Sequence, residues 1–410
     1  MKIGASNDLL NRLKPTMKVF IQGAAGEPQD VIAAFKAEPD RVDGVEIWSC
    51  LVPGMNTFDY GSLAGSARLT TFMASPAIEP SILSGRTRLI AIPYSEIAAR
   101  LAQTEFDLAI LQVAPPDREG ACSFGVSCDV GAIVWRRAKQ RIAYLNHRIK
   151  PPKRSDAMPA DAIDLAIPID APLLSPAAAT KGSMVLEVIG RIAAELIPDG
   201  AAIQSGVGEA PRAVVAALIS HRNLRIRSGL ITPDYRILAD AGAFDPAGEH
   251  ITGIAWGGAD FYDWLGESDL AAFRSIETTH GAAGLAATPG FVSINSALEV
   301  DLFGQANLEW REGRRISGVG GAPDFLRAAA ASAGGRSIIA LPSTTRDGVS
   351  RIVARIVAPT ISIPASDSDV ILTEHGAAQL RGQDATARAK ALIAIAAPQH
   401  RDALSASLQR

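Results

Sequence analysis

Aromatic side chains are scarce in this chain, at 5% of 410 residues, and it has three cysteines, Cys50, Cys122 and Cys128. An odd number of cysteines in so long a chain speaks against a disulfide framework and fits a reducing cytosol. Cys122 and Cys128 are too far apart for a CxxC zinc knuckle, so no metal site is expected. No charge of either sign dominates: 40 basic residues face 43 acidic ones, a net charge of -3. That balance leaves no summed positive field to attract nucleic acid or an anionic membrane, so any bound anion must be held locally. No stretch reaches the ~18 uncharged apolar residues of a membrane span. The opening "MKIGASNDLLNRLKP" also lacks the apolar core of a signal peptide. The expectation is a cytoplasmic protein without membrane or nucleic-acid partners.

What the chain does have is glycine and proline, 36 and 25 residues, and some of them recur in a pattern. "IQGAAGEP" from Ile21 returns as "IQSGVGEAP" from Ile203, inside longer matching stretches: "RLKPTMKVFIQGAAGEPQDVIAAF" and "ELIPDGAAIQSGVGEAPRAVVAAL". Each reads as a Pro-containing turn, a short apolar strand, a Gly-rich bend and a helix. Val31, Ile32 and Phe35 fall at helical spacing in the first copy, and Val214, Val215 and Leu218 in the second. A proline in the first helical turn is tolerated because its missing N–H has no partner there. A second strand follows in each copy, "GVEIWSCL" and "LRIRSGL", which sets Cys50 against Gly229. One repeat of ~180 residues is too long for a solenoid. It points to two homologous α/β domains in tandem.

Further strands are expected in "RLIAIPY", "FDLAILQV", "RIAYLN", "FVSINSALEVDL", "SIIALPS" and "DVILTEHG". Helix-like "SEIAARLAQ", "DFLRAAAASA" and "ATARAKALIAIA" stand between them, as βαβ crossovers in mainly parallel sheets require. The Pro-rich, charged stretch 146–180 reads as a bridge. The expected domains are therefore 1–175 and 176–410.

A glycine loop between a strand and a helix lets backbone N–H groups approach a phosphate, which the helix N-terminus also favours. Gly206 and Gly208 fit that role, and they also fit a tight turn with no ligand. A dinucleotide reader would add an acidic residue ~20 positions on. "RNLRIRSG" offers none, which speaks against NAD. Further glycine-dense stretches follow: "RISGVGGAPDFLRAA" with Gly318, Gly320 and Gly321, "ASAGGRSIIALPSTT" with Gly334, Gly335 and Arg336, and "LEVDLFGQAN".

Taken in order, these blocks resemble the acetyl-CoA hydrolase/transferase family over nearly the whole chain. "APPDREGACSFGVSCD" is similar to the family's "SPPDxxGxxSLGVSxD". "IQSGVGEAP", "INSALEVDLFGQAN", "SGVGGAPDFLRAA", "GGRSIIALPSTT" and "DVILTEHGAAQLRG" follow in the family's order. The resemblance implies two CoA-transferase-type domains, and a homo-oligomer is expected as the common case. It also implies an acyl-CoA and a carboxylic acid as substrates, with no tightly bound cofactor. Residue by residue it assigns Gly206, Val207, Gly208, Glu209 and Ala210 to the CoA moiety. Gly318 to Phe325, with Gly320 and Gly321, would line the pantetheine or thioester region. Arg336 stands where the family has lysine, keeping the charge as a planar fork.

The family's "LGIHTEMxxDG" carries a nucleophilic glutamate that forms a mixed anhydride and then a glutamyl-CoA thioester. Here the stretch is "LRIRSGLITPDY": Arg227, Ser228 and Gly229 replace His, Thr and Glu, while Asp234 is kept and Tyr235 follows it. Glycine cannot be a nucleophile. Three alternatives stand. Glu209 or Glu299 supplies the carboxylate, a water activated by His280, Glu299 or Asp324 hydrolyses the thioester, or the protein binds CoA esters without turnover. His280 and His375 are also ordinary loop residues, and Cys50 an ordinary buried one.

Overall fold

In Phe106–Val113 only Asp107 and Gln112 interrupt a run of apolar side chains, and the strand is buried nearly throughout. Such runs suit a parallel sheet covered on both faces. In the computed structural model, which describes residues 1–63, 65–177 and 182–408, this strand is interior to an eight-stranded sheet. Across the sheet the order is Lys2–Ile3, Leu165–Ile169, Ala138–Asn146, Phe106–Val113, Lys18–Ile21, Glu46–Ser49, Arg68–Thr71, Thr87–Leu89. Every pairing in it is parallel. The helix Gln29–Ala37 buries Val31, Ile32 and Phe35, and Tyr94–Gln103 buries Ile97, Ala98 and Leu101, the stripes that the helical spacing predicts. Each of these side chains other than Ala98 contributes about 1.5–3 kcal/mol on burial.

A second sheet runs Arg225–Ile226, Ala202–Ser205, Phe291–Asn295, Arg336–Ala340, Val370–Thr373, Gly376–Gln379. Its pairings are parallel except the last, a hairpin. The fold is thus α/β with two mainly parallel sheets, as expected. Locally it departs from the expected strands. "DVILTEHG" is the first arm and turn of that hairpin. "FVSINSALEVDL" splits into Phe291–Asn295 and Glu299–Asp301, the latter in a separate three-stranded sheet. "RLIAIPY" is a strand only to Leu89, because the helix Tyr94–Gln103 begins directly after Pro93.

The chain divides into two compact units, Met1–Ala178 with Ile251–Thr279, and Ala179–His250 with His280–Arg410. A single cut at 175/176 therefore differs from the structure in where it puts 251–279. That segment joins the first unit through contacts invisible to local patterning. Lys150 Nζ pairs with Glu267 at 3.0 Å, Lys153 Nζ with Asp269 at 2.7 Å, and Asp156 N donates to the Phe273 carbonyl at 2.9 Å. Gly266 lies so close to Lys150 that a Cβ on it would stand 2.3 Å from the Lys150 Cβ. The last residues of the expected bridge, 178–180, lie outside the described ones.

Candidate functional site

Ligands of open parallel sheets sit at the carboxyl ends of the strands, and in the second unit those ends carry the glycine loops. Gly206 follows Ala202–Ser205 and donates its N–H to the Ile294 carbonyl at 2.8 Å; a Cβ there would meet Asn295 Oδ1 at 2.6 Å. Gly208 caps the helix Glu209–Ala217 with φ +139°, yet a Cβ on it would meet nothing closer than 3.5 Å. Packing therefore does not demand glycine at 208. Backbone conformation does. Val207 is half exposed and Ala210 buried.

Beneath the loop lies a polar network that no motif revealed. Gln204 Oε1 accepts from Ser293 Oγ at 2.8 Å and from Asn295 Nδ2 at 3.1 Å. Ser205 Oγ and the Tyr235 hydroxyl are 3.0 Å apart. Burial pushes the Tyr235 phenol up to about 12, so it stays protonated. Tyr235, which departs from the family pattern, thus supports the loop from below. Asp234 accepts from Arg212 Nε at 2.7 Å and from Thr232 Oγ1 at 2.9 Å. The first copy's loop differs: Asn56 Oδ1 accepts from Ala24 N and Val52 N, and Asn56 Nδ2 donates to the Ala24 carbonyl. That loop is filled by its own chain.

At Gly229, where the resemblance puts the nucleophile, the three atoms nearest to a built Cβ belong to His280 Cε1 at 2.7 Å, His280 Nε2 at 3.0 Å and Phe325 Cζ at 3.4 Å. Gly321 faces the same ring, since a Cβ there would stand 2.5 Å from Nε2. The imidazole lies tilted on Phe325, with centroids 4.5 Å apart, and is only 4% exposed. Burial lowers its pKa to about 3, which keeps it neutral. No carboxylate is among those nearest atoms. His280, read from sequence as a loop residue or a base, is the group beside Gly229.

The other candidates divide. Glu209 is exposed in the first turn of its helix, where it suits the dipole, and its charge also acts on Arg351. Glu299 accepts from Asn307 Nδ2 at 2.9 Å. Gly318 and Gly320 are buried, Gly320 with φ +67°, and Asp324 is buried in the first turn of Ala322–Ala331. Arg336 is a departure from expectation. It opens its strand level with Val292 and Ile203, at the amino ends, whereas the Gly206 loop follows the carboxyl end. Its guanidinium donates to the Leu196 carbonyl at 3.0 Å, just past the helix Met184–Ala194. A cation suits a helix C-terminus. His375 is exposed, its Nε2 3.7 Å from Glu374. Arg227 pairs with Glu249 at 2.6 Å.

The equivalence of Cys50 and Gly229 does not survive the strand register. With Phe20 set against Ala202, their ladder partners Trp48 and Arg225 correspond, so Cys50 falls with Arg227 and Gly229 with Val52. All three cysteines are buried and unpaired. Among the described residues, no three His, Cys, Asp or Glu side chains are grouped to hold a metal, and no helix is long and apolar enough to cross a membrane.

The sequence model of the acetyl-CoA hydrolase/transferase C-terminal domain matches residues 257–408. The 4-hydroxybutyrate coenzyme A transferase of Clostridium kluyveri is 30% identical over 98% of this chain and 96% of its own. RipA from Yersinia pestis superimposes with a TM-score of 0.92 at 26% identity, covering 100% of this chain and 97% of RipA. The 4-hydroxybutyrate CoA-transferase from Porphyromonas gingivalis does so with a TM-score of 0.82 at 28% identity, over 100% and 97%.

Proposed function

Because the chain belongs to the acetyl-CoA hydrolase/transferase family, we propose that it binds coenzyme A thioesters along the carboxyl edge of the six-stranded sheet and acts on them without a glutamyl relay. The observation that carries this reading is Gly208, whose φ of +139° holds a loop open at a helix N-terminus where no packing atom crowds its missing Cβ. Gly206 fixes the turn, and backbone N–H groups of residues 207–210 meet the CoA moiety there. Gly318, Gly320 and Gly321 line the path to the thioester.

The relay needs a carboxylate at 229. With none there, no mixed anhydride and no glutamyl-CoA form at that position, and water must attack the thioester carbonyl directly. The C–S bond then breaks, CoA leaves as thiolate, and the proton from water goes to a base. His280 is neutral and stands beside the site, and burial makes it a weak base. A second reading, a silent CoA-ester binder, is favoured by the same ring, which fills the room next to Gly229.

The test incubates the protein with acetyl-CoA or butyryl-CoA, with and without acetate, and follows free thiol and acyl exchange separately. Thiol release without exchange supports hydrolysis, and neither, with CoA binding intact, supports the silent binder. Exchange as fast as in relatives carrying the glutamate overturns both. The homo-oligomer belongs to this proposal and is checked by light scattering.

A further inference from the structure

Both copies of the repeat carry a glutamine before the glycine bend, and they use it differently. In the first copy the chain engages both ends of the Gln22 amide. Its Nε2 donates to the Ser127 carbonyl at 2.8 Å, and its Oε1 accepts from Gln112 N at 2.6 Å. The counterpart Gln204 follows Ile203 as Gln22 follows Ile21, and only its Oε1 is engaged, by Ser293 Oγ and Asn295 Nδ2. Among the described residues nothing accepts from Gln204 Nε2. Asn295 Nδ2 donates to Gln204 and to Ser293, and no donor among the described residues meets Asn295 Oδ1. Both side chains are buried, at 2% and 5% exposure, where amide groups without partners are costly. Two touching amides thus keep one donor group and one acceptor in reserve.

The strand ladder sets their place. Ala202 pairs with Phe291, and both pack in one cluster with Phe325. Side chains two residues on share that face, so Gln204 and its partner Ser293 form the next rung toward the carboxyl ends, and Asn295 the rung after. Phe325 carries the His280 ring and lies 3.4 Å from a Cβ built on Gly229. Asn295 Oδ1 lies 2.6 Å from a Cβ built on Gly206. The amide pair therefore shares the face of Phe325 and reaches the Gly206 loop, along the edge assigned to the thioester.

A partner for the two spare groups must accept one hydrogen bond and donate another. Of the reacting groups only water does both; a thioester, a thiolate and a carboxylate only accept. Resting on the reading that water attacks the thioester, we propose that Gln204 and Asn295 hold the attacking water. It accepts from Gln204 Nε2 and donates to Asn295 Oδ1, which leaves one lone pair to bond to the thioester carbon and one proton to give up. The C–S electron pair leaves on sulfur, and the proton passes to His280 and then to the thiolate. The amides exchange no proton in this step. They fix the direction from which the water attacks.

Partition between two nucleophiles tests this. Butyryl-CoA is turned over in water alone and with hydroxylamine, a stronger nucleophile that needs no held position. Butyrate and butyryl hydroxamate are measured, each corrected for the reaction without protein. Gln204→Met removes the amide, Gln204→Asn withdraws it by one methylene, and Gln22→Met removes its counterpart in the first unit. Both Gln204 variants should lower kcat for hydrolysis at least about tenfold with KM unchanged, and raise the hydroxamate-to-butyrate ratio to match. Gln22→Met should lower Tm and leave the ratio as in wild type. An unchanged ratio in a Gln204 variant that keeps its Tm overturns the proposal, as does an equal fall in both products. A loss confined to butyryl-CoA affinity places the amide against the ligand rather than the water and also overturns it. If wild type binds butyryl-CoA but forms no butyrate, the hydrolytic reading falls and this inference with it.

Discussion

Gly229 and His280 meet so closely that one methyl group on the glycine would stand 2.7 Å from the imidazole Cε1. The side chain that a glutamyl relay would need therefore cannot be added without moving the ring. Gly229→Glu alone should lose about 1–3 kcal/mol through overpacking, and it should trap no adduct. Gly229→Glu combined with His280→Ala makes room for the carboxylate. Incubation with acyl-CoA and borohydride, followed by mass spectrometry, should then find the adduct at 229 in the double variant only. An adduct on wild-type Glu209 or Glu299 would instead show that the carboxylate had been relocated.

His280 also gives stability a pH dependence. Its folded pKa of about 3 lies below the ordinary histidine value, so the unfolded chain takes up the proton first. The contribution is complete above about pH 6.5 and declines by about 1.4 kcal/mol per pH unit as pH falls toward the folded value. Denaturant melts at pH 7.5 and 5 should show the loss, and His280→Leu should flatten it.

Asp129 works in the opposite direction. Burial raises its carboxyl to about 7, so stability is fully present below the unfolded carboxylate value of about 3.9 and declines as pH rises from there to about 7. Asp129→Asn keeps the shape, and asparagine tolerates the positive φ of 24° there. The variant should melt a few degrees higher than wild type at pH 8 and show little gain at pH 4, read by calorimetry.

Arg336 and Gly208 should separate stability from binding. Arg336→Ala removes a hydrogen bond to the Leu196 carbonyl and should cost about 0.5–1.5 kcal/mol in denaturant melts, while the CoA Kd stays the same.

Gly208→Val should lower stability, because the φ of +139° strains a β-branched side chain although its Cβ direction is open, and should weaken CoA by more than that strain accounts for, because its N–H lies at the loop. Titration and melts of the same sample decide it. Equal loss in both would make the glycine purely conformational.

The architecture was legible wherever the signal was local. The apolar run at 106–113 and the helical spacing at 322–331 and 385–395 translate directly into elements. The two glycine loops look alike as text. They differ in fact because Asn56 satisfies the first one's backbone from a distant position, which no local pattern encodes. Arg336 misled for a related reason: the text places it beside a glycine pair, but that pair precedes its strand and so lies at the wrong end of the sheet. The approach of His280 left one faint trace, glycine at both 229 and 321, the two positions whose missing Cβ atoms admit the ring. The helix Glu209–Ala217 was readable, but its packing against Met184–Ala194 was not.

The discontinuous first unit constrains the order of synthesis. A ribosome delivers residues 1–178 well before 251–279. During that interval Lys150, Lys153 and Asp156 wait without Glu267, Asp269 and the Phe273 carbonyl. The nascent first unit cannot close as an independent body, since its last piece arrives only after Ala179–His250 has emerged. Truncation after 178 yields an incomplete unit, and a chain cut there to express the halves separately divides the first of them from part of its own structure.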